Sequence, residues 1–173
     1  MTRLLELTTL ISQWAKDRKL DTGNPKQQMR KLGEESGELY SGITKNKQDV
    51  IIDSIGDTFV VLVVLSTQLN INTTQIVNEL EAAHDISNLS YQNSLDDMCL
   101  SLMFQVGSLA HSIRHSKNNH SHTMHIMWAM EVLLDLAEQL GLTLTECVEY
   151  SYNEIKDRKG ELRNGTFIKE EDL

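Results

Sequence analysis

An all-α bundle is the fold class this sequence predicts, on three observations. Apolar residues recur at three- and four-residue spacing through seven stretches. Nothing sustains the period-two alternation of strands. A self-comparison also aligns one long helical hairpin with a second, as in a pseudo-symmetric bundle.

The elements follow in order. Leu4, Leu7, Leu10, Ile11, Trp14 and Ala15 give an amphipathic first helix over about 4–19. The turn Asp21-Thr22-Gly23-Asn24 follows, with Asn24 as cap and Pro25 as first residue of a second helix reaching about Ile43. Met29, Leu32, Ser36, Leu39 and Ile43 form its inward stripe, while Gln28, Lys31, Glu35, Glu38 and Gly42 form an adjacent shoulder and Glu34 points further outward. A loop over 42–47 leads to a third helix, apolar almost all round from Ile51 to Leu65, the mark of a central helix. Caps at Asn72-Thr73-Thr74 open a fourth helix over about 74–88, followed by a polar connection at 89–95. Three more helices are expected at about 96–116, 123–140 and 145–159, with Gly141 and Gly160 as stops and a turn at Arg163-Asn164-Gly165. Thr166-Phe167-Ile168 could extend but could not build a sheet alone.

At 173 residues the chain suits a single all-helical domain over 1–173. A net charge of -9 argues against broad attraction to nucleic acid or anionic membrane. Cys99 and Cys147 are too few for a disulfide framework and read as reduced core residues. With no signal-peptide pattern, and an apolar run at 59–65 much shorter than the roughly 20 residues of a membrane span, a cytoplasmic location is expected.

The repeat aligns Glu35 to Ile43 with Gln105 to Ile113 at an offset of 70, and Val61 to Val77 with Val132 to Val148 at an offset of 71. Its carboxylates do not repeat: Glu35, Glu38, Asp53 and Asp57 meet Gln105, Ser108, Met124 and Trp128. The reading is a catalytic hairpin at about 26–70, a degenerate hairpin at about 96–140, and a basic C-terminal helix and tail at about 145–173.

Glu35 and Glu38 are three apart and Asp53 and Asp57 four apart, so each pair lies on one helical face. A carboxylate in an apolar helix is costly unless paired, hydrogen-bonded or bound to metal, which makes Asp53 and Asp57 the most informative polar residues here. Mg2+ takes oxygen ligands and bridges carboxylates to substrate phosphates, and phosphoryl transfer to water needs that electrostatic help. The alternative is a solvated acidic helix. Gly33, Gly37 and Gly56 suggest close helix approach, and Phe59 to Leu65 follow the acids as core.

Three stretches, Lys31-Leu32-Gly33-Glu34-Glu35-Ser36-Gly37-Glu38-Leu39, Ile52-Asp53-Ser54-Ile55-Gly56-Asp57 and Tyr152-Asn153-Glu154-Ile155-Lys156-Asp157-Arg158-Lys159-Gly160, occur in that order. In this combination the chain resembles the MazG-like all-α nucleoside triphosphate pyrophosphohydrolases, especially the small bacteriophage versions. The resemblance implies Mg2+, with Mn2+ as second choice, and cleavage of a nucleoside triphosphate between its α and β phosphates. Carried over by position, Glu35, Glu38 and Asp57 resemble metal ligands, with Glu34 assisting as ligand or water-orienting base. Many relatives place a glutamate three residues before the final aspartate; here that position is Ser54, and Asp53 is the substitute.

Lys31, one turn before Glu35, can pair with that acid or reach phosphate, and the resemblance implies that Asn153 and Lys156 reach the triphosphate while Arg158 or Lys159 closes the site. Against this stands a plain basic helix end. Trp14 and Trp128 are read as packing residues. The crowded histidines His111, His115, His120, His122 and His125 are read as a solvated hairpin end rather than a transition-metal site. The expected partners are a nucleoside triphosphate and a second copy of the chain, with a dimer favoured, in the host cytoplasm if phage-encoded. Rival readings are a dUTP or dCTP specialist, a phosphoribosyl-ATP pyrophosphohydrolase, and a non-catalytic acidic helical interaction protein.

Overall fold

The computed structural model describes residues 1–86, 94–116, 118–163 and 166–170. Helix α1 spans Arg3–Asp17, α2 Pro25–Thr44, α3 Gln48–Gln68, α4 Thr73–Ile86, α5 Leu95–His115, α6 Asn119–Gln139 and α7 Leu144–Ile155. A short antiparallel hairpin follows, β1 at Gly160–Arg163 against β2 at Thr166–Lys169, with Arg163 opposite Thr166. The fold is thus mostly helical as expected, but the expectation of no sheet fails at its end. Strands of four residues are too short to display a period, and their pairing is local. Asn164 and Gly165 of the expected turn lie outside the described residues, as do the expected end of the fourth helix and most of the connection after it.

Helix α3 is the axis of the molecule. Thirteen of its residues are buried, from Ile51 through the unbroken run Thr58–Ser66, and α1, α2, α6 and α7 all pack on it. Its whole length is long and apolar enough to cross a membrane, well beyond the run at 59–65, yet 72% of its most apolar window is buried inside the fold. That burial is what a central helix requires. The hairpins α2–α3 and α5–α6 also touch each other, α2 against α5 and α3 against α6.

Gly56 sets the distance between α3 and α7. A Cβ at that position would stand 2.8 Å from the Cys147 carbonyl carbon and overlap both its oxygen and the Ser151 Oγ, so the helices meet almost backbone to backbone. Gly33 and Gly37 make no such approach, with open space for 4 Å around the place a Cβ would take. The sequence expectation of close packing therefore holds at Gly56 and fails at those two, which lie on the exposed side of α2. Gly42 is the other tight position, where a Cβ would meet Val50 Cγ1 at 3.1 Å at the closed end of the hairpin.

Two helix boundaries differ from expectation for identifiable reasons. Helix α6 begins at Asn119 rather than Thr123 because the Asn118 side chain caps it, accepting from the His120 N–H at 3.0 Å. Helix α7 ends at Ile155, not near Lys159, and its last carbonyls are taken by α1. The Trp14 indole N–H donates to the Ile155 carbonyl at 2.9 Å, and the Arg18 guanidinium donates to the carbonyls of Lys156 and Arg158. Arg18 lies over the Trp14 ring at 4.9 Å, a cation–π contact that holds both donors in place. Trp14 is therefore a packing residue, as expected. Trp128 is not: it is exposed and meets the His125 ring edge-on. Cys147 is buried and Cys99 half-buried, both as free thiols.

Because Gly56 faces backbone, Gly56→Ala should lower the unfolding free energy by roughly 1–3 kcal/mol. Gly33→Ala, with open space around it and a gain in helix propensity, should instead be neutral or raise it by up to about 1 kcal/mol. Urea unfolding of both variants checks the contrast.

Candidate acidic site between α2, α3 and α7

The site is built where α2 and α7 flank the polar side of α3. Glu35 is buried at 3% exposure on α2, more deeply than a shoulder position requires. Asp53 and Asp57, one turn apart on α3, are half-buried, and Glu34 and Glu38 are exposed. From α7, the Ser151 hydroxyl donates to the Asp53 carbonyl at 3.3 Å.

The electrostatics show how closely these groups face one another. Burial pushes the Asp57 carboxyl up, the negative charges of Glu35 and Asp53 push it further, and the Ser151 hydroxyl and Lys31 pull back, leaving it at about 6. Asp53 is also raised, by burial and then by Glu154 and Glu38, against the pull of Arg158 and Lys31. Glu35 is raised by burial first, with Lys31 opposing and Glu38 and Glu34 adding to it. Acids from three helices therefore share one neighbourhood with two cations, Lys31 and Arg158.

Lys31 organises the α2 side. Its ammonium bridges Glu35 on the following turn and Glu34 at 3.2 Å. Burial disfavours its charge, but the two glutamates more than compensate and hold it above the usual lysine range. One oxygen of Asp53, Oδ1, is buried with no hydrogen-bond partner.

The sequence expectation that Glu35, Glu38, Asp53 and Asp57 converge on a cation is not met in this arrangement. Among the described residues no three His, Cys, Asp or Glu side chains are gathered to hold a metal ion. Glu35 is paired with Lys31, and Glu38 is exposed. The donors nevertheless fit a hard divalent cation: they are all carboxylate oxygens, and Asp53 Oδ1 is an orphaned buried acceptor.

The basic residues divide. Arg158 acts on Asp53 from the segment beyond α7. Lys156 Nζ instead donates to Asn153 Oδ1 at 2.8 Å, making an exposed pair of their own, and Lys159 is exposed. Ser151 and Glu154, which sequence reasoning does not single out as site residues, reach the acids because α7 packs at Gly56. Glu154 lies within the stretch from Tyr152 to Gly160, and Ser151 immediately precedes it on α7.

Comparison with known proteins bears on one part of this picture. Residues 10–84 match the family model for phosphoribosyl-ATP pyrophosphohydrolase. That segment, under half of the chain, holds Lys31 and all five candidate acids but none of α7. The chain is also 53% identical over 74 residues to an uncharacterized 18.2 kDa protein in the rep-hol intergenic region of Haemophilus phage HP1. The match spans 42% of this chain and 45% of that relative, so less than half of either. No solved structure matches. The similarity is to a pyrophosphohydrolase-type segment that spans less than half of the chain.

Asp57 makes the site costly to fold. A carboxyl at 3.8 when unfolded and about 6 when folded imposes no penalty below pH 3.8. The penalty grows as pH rises through that window and is complete above pH 6, at about 3 kcal/mol. Asp57→Asn in chelator-containing buffer should therefore raise Tm at pH 7, and the gain should vanish by pH 4. Calorimetric scans across that range measure it.

Proposed function

We propose that the protein hydrolyses a (deoxy)nucleoside triphosphate between its α and β phosphates, giving a nucleoside monophosphate and pyrophosphate. The observation that carries this reading is the set of buried and half-buried carboxylates, Glu35, Asp53 and Asp57, facing one another with Asp53 Oδ1 unpartnered. Glu35, Glu38, Asp53 and Asp57 would hold Mg2+, or Mn2+, which supplies Lewis-acid stabilisation of the phosphate oxygens and a more acidic water.

The protein's own groups divide the remaining work. Lys31 sits beside Glu35 as a mobile cation that can exchange a carboxylate for a phosphate oxygen. Arg158 approaches from the α7 side and screens charge on the leaving pyrophosphate, with Asn153, Lys156 and Lys159 at the solvent edge of the same path. Glu34, exposed and already within reach of Lys31, is the group to take the proton of the attacking water. That water's oxygen forms the new bond to the α phosphorus as the bridging oxygen departs with pyrophosphate.

The junctions after the two hairpins support their reading as a duplication. Helices α3 and α6 end at Gln68 and Gln139, the left-handed residues Asn70 and Gly141 follow, and α4 and α7 begin at Thr73 and Leu144, each pair 71 apart. The second copy, without acids at the aligned positions, is a degenerate one within a single domain. Self-association is best served by α5, where Leu100, Met103 and Phe104 are exposed together on one face. Similarity to a phage protein accords with a phage-encoded enzyme acting in the host cytoplasm. The name of the matching family favours one second reading, phosphoribosyl-ATP as substrate.

A panel of nucleoside triphosphates including dUTP and dCTP, together with phosphoribosyl-ATP, should release pyrophosphate with Mg2+ and none with chelator. Glu38→Gln should lose at least about 100-fold in kcat while circular dichroism stays unchanged. Orthophosphate as sole product, or full turnover by the variant, overturns the reading.

A further inference from the structure

The end of α5 and the start of α6 enclose a second cleft, of about 290 Å³, with an unrelated lining. Among the described residues its walls carry three imidazoles, His111, His115 and His125, and serine hydroxyls including Ser108 and Ser121, and no carboxylate, lysine or arginine. The solvated hairpin end expected from sequence describes His111, His115 and His120, which are exposed, but not the other two. His125 is half-buried, and His122 is only 3% exposed with neither ring nitrogen hydrogen-bonded.

His111 and His115 stand one turn apart with ring centroids 4.7 Å from each other, the spacing at which two side chains of one helix serve a common partner. Across the cleft, His125 Nδ1 lies 3.0 Å from Gln105 Oε1. An amide oxygen only accepts, so the ring hydrogen sits on Nδ1 and the Nε2 lone pair is left for another partner. A second carbonyl-type group fixing the tautomer in this way is the usual support of a ligating histidine. Burial and the neighbouring His122 hold His125 below the ordinary imidazole range, so it is unprotonated at neutral pH.

We infer that this cleft binds a borderline transition cation of the Zn2+ class through His111 and His115, with His125 Nε2 as a third donor from the facing helix. As they stand the three rings do not meet at one point. His111 and His115 are exposed, so their rings can turn about the side-chain bonds without moving the backbone. By the internal alignment, Gln105 and Ser108 occupy the places of Glu35 and Glu38, and His125 that of Ser54. The carboxylates of the first hairpin have no counterpart here, and the imidazole nitrogens lining the cleft suit a softer ion than Mg2+. An anion site is the poorer fit: the chain carries a net charge of -9, and two imidazolium rings this close repel.

The test is calorimetric titration of the chelator-stripped full chain with Zn2+ at pH 7.5, in millimolar Mg2+ to saturate the carboxylates. A single Zn2+ per chain should bind, about tenfold or more weakly in Gln105→Leu and undetectably in the His111→Ala/His115→Ala double variant. Circular dichroism checks that the exposed double variant is folded. No uptake by the wild type, or unchanged uptake by the double variant, overturns the site. So does inorganic phosphate binding without Zn2+ that the double variant loses, which would make it an anion site. Pyrophosphate release should persist in the double variant, so failure here is separable from failure of the proposed hydrolysis.

Discussion

At Gly56 the backbones of α3 and α7 touch, and the acidic site depends on that contact. It lets α7 lie close enough for Ser151 to reach the Asp53 carbonyl and for the charge of Glu154 to act on Asp53. A side chain at position 56 would hold α7 away from α3 and open the seam to water, where the carboxylates would lose the low dielectric that raises them. The donors from α1 fix the other end of α7: Trp14 and Arg18 occupy its terminal carbonyls and determine where the segment bearing Arg158 leaves the helix.

The site thereby stores unfavourable energy that the apolar core offsets. Burying Glu35 and Asp57 beside each other is the arrangement expected where function, rather than stability, has selected the residues. Lys31 relieves part of the cost by pairing with Glu35. The long buried stretch of α3 from Thr58 to Ser66 supplies the hydrophobic anchorage.

The two hairpins place different side chains at corresponding positions. In the first, carboxylates line the seam; in the second, Gln105, Ser108, Met124 and Trp128 stand at the aligned positions. The junctions at 71-residue separation carry the same left-handed turn in both. A helix end closed by such a turn fixes the exit direction of the chain, so α4 and α7 leave their hairpins alike while their contacts differ.

The sequence by itself determined the helices, the central place of α3 and the identity of the candidate acids, because helical period and a carboxylate inside an apolar run are local signals. It could not decide which glycine lay at a helix contact, since Gly33, Gly37 and Gly56 look alike in a helix and differ only in what stands opposite. Nor could it place Ser151, Glu154 or the pairing of His125 with Gln105, each made between elements far apart in the chain. The end of α7 was likewise settled by donors 140 positions away in the chain. Tertiary structure decided these points because hydrogen bonding and burial depend on distances between helices, and spacing along one helix does not encode them.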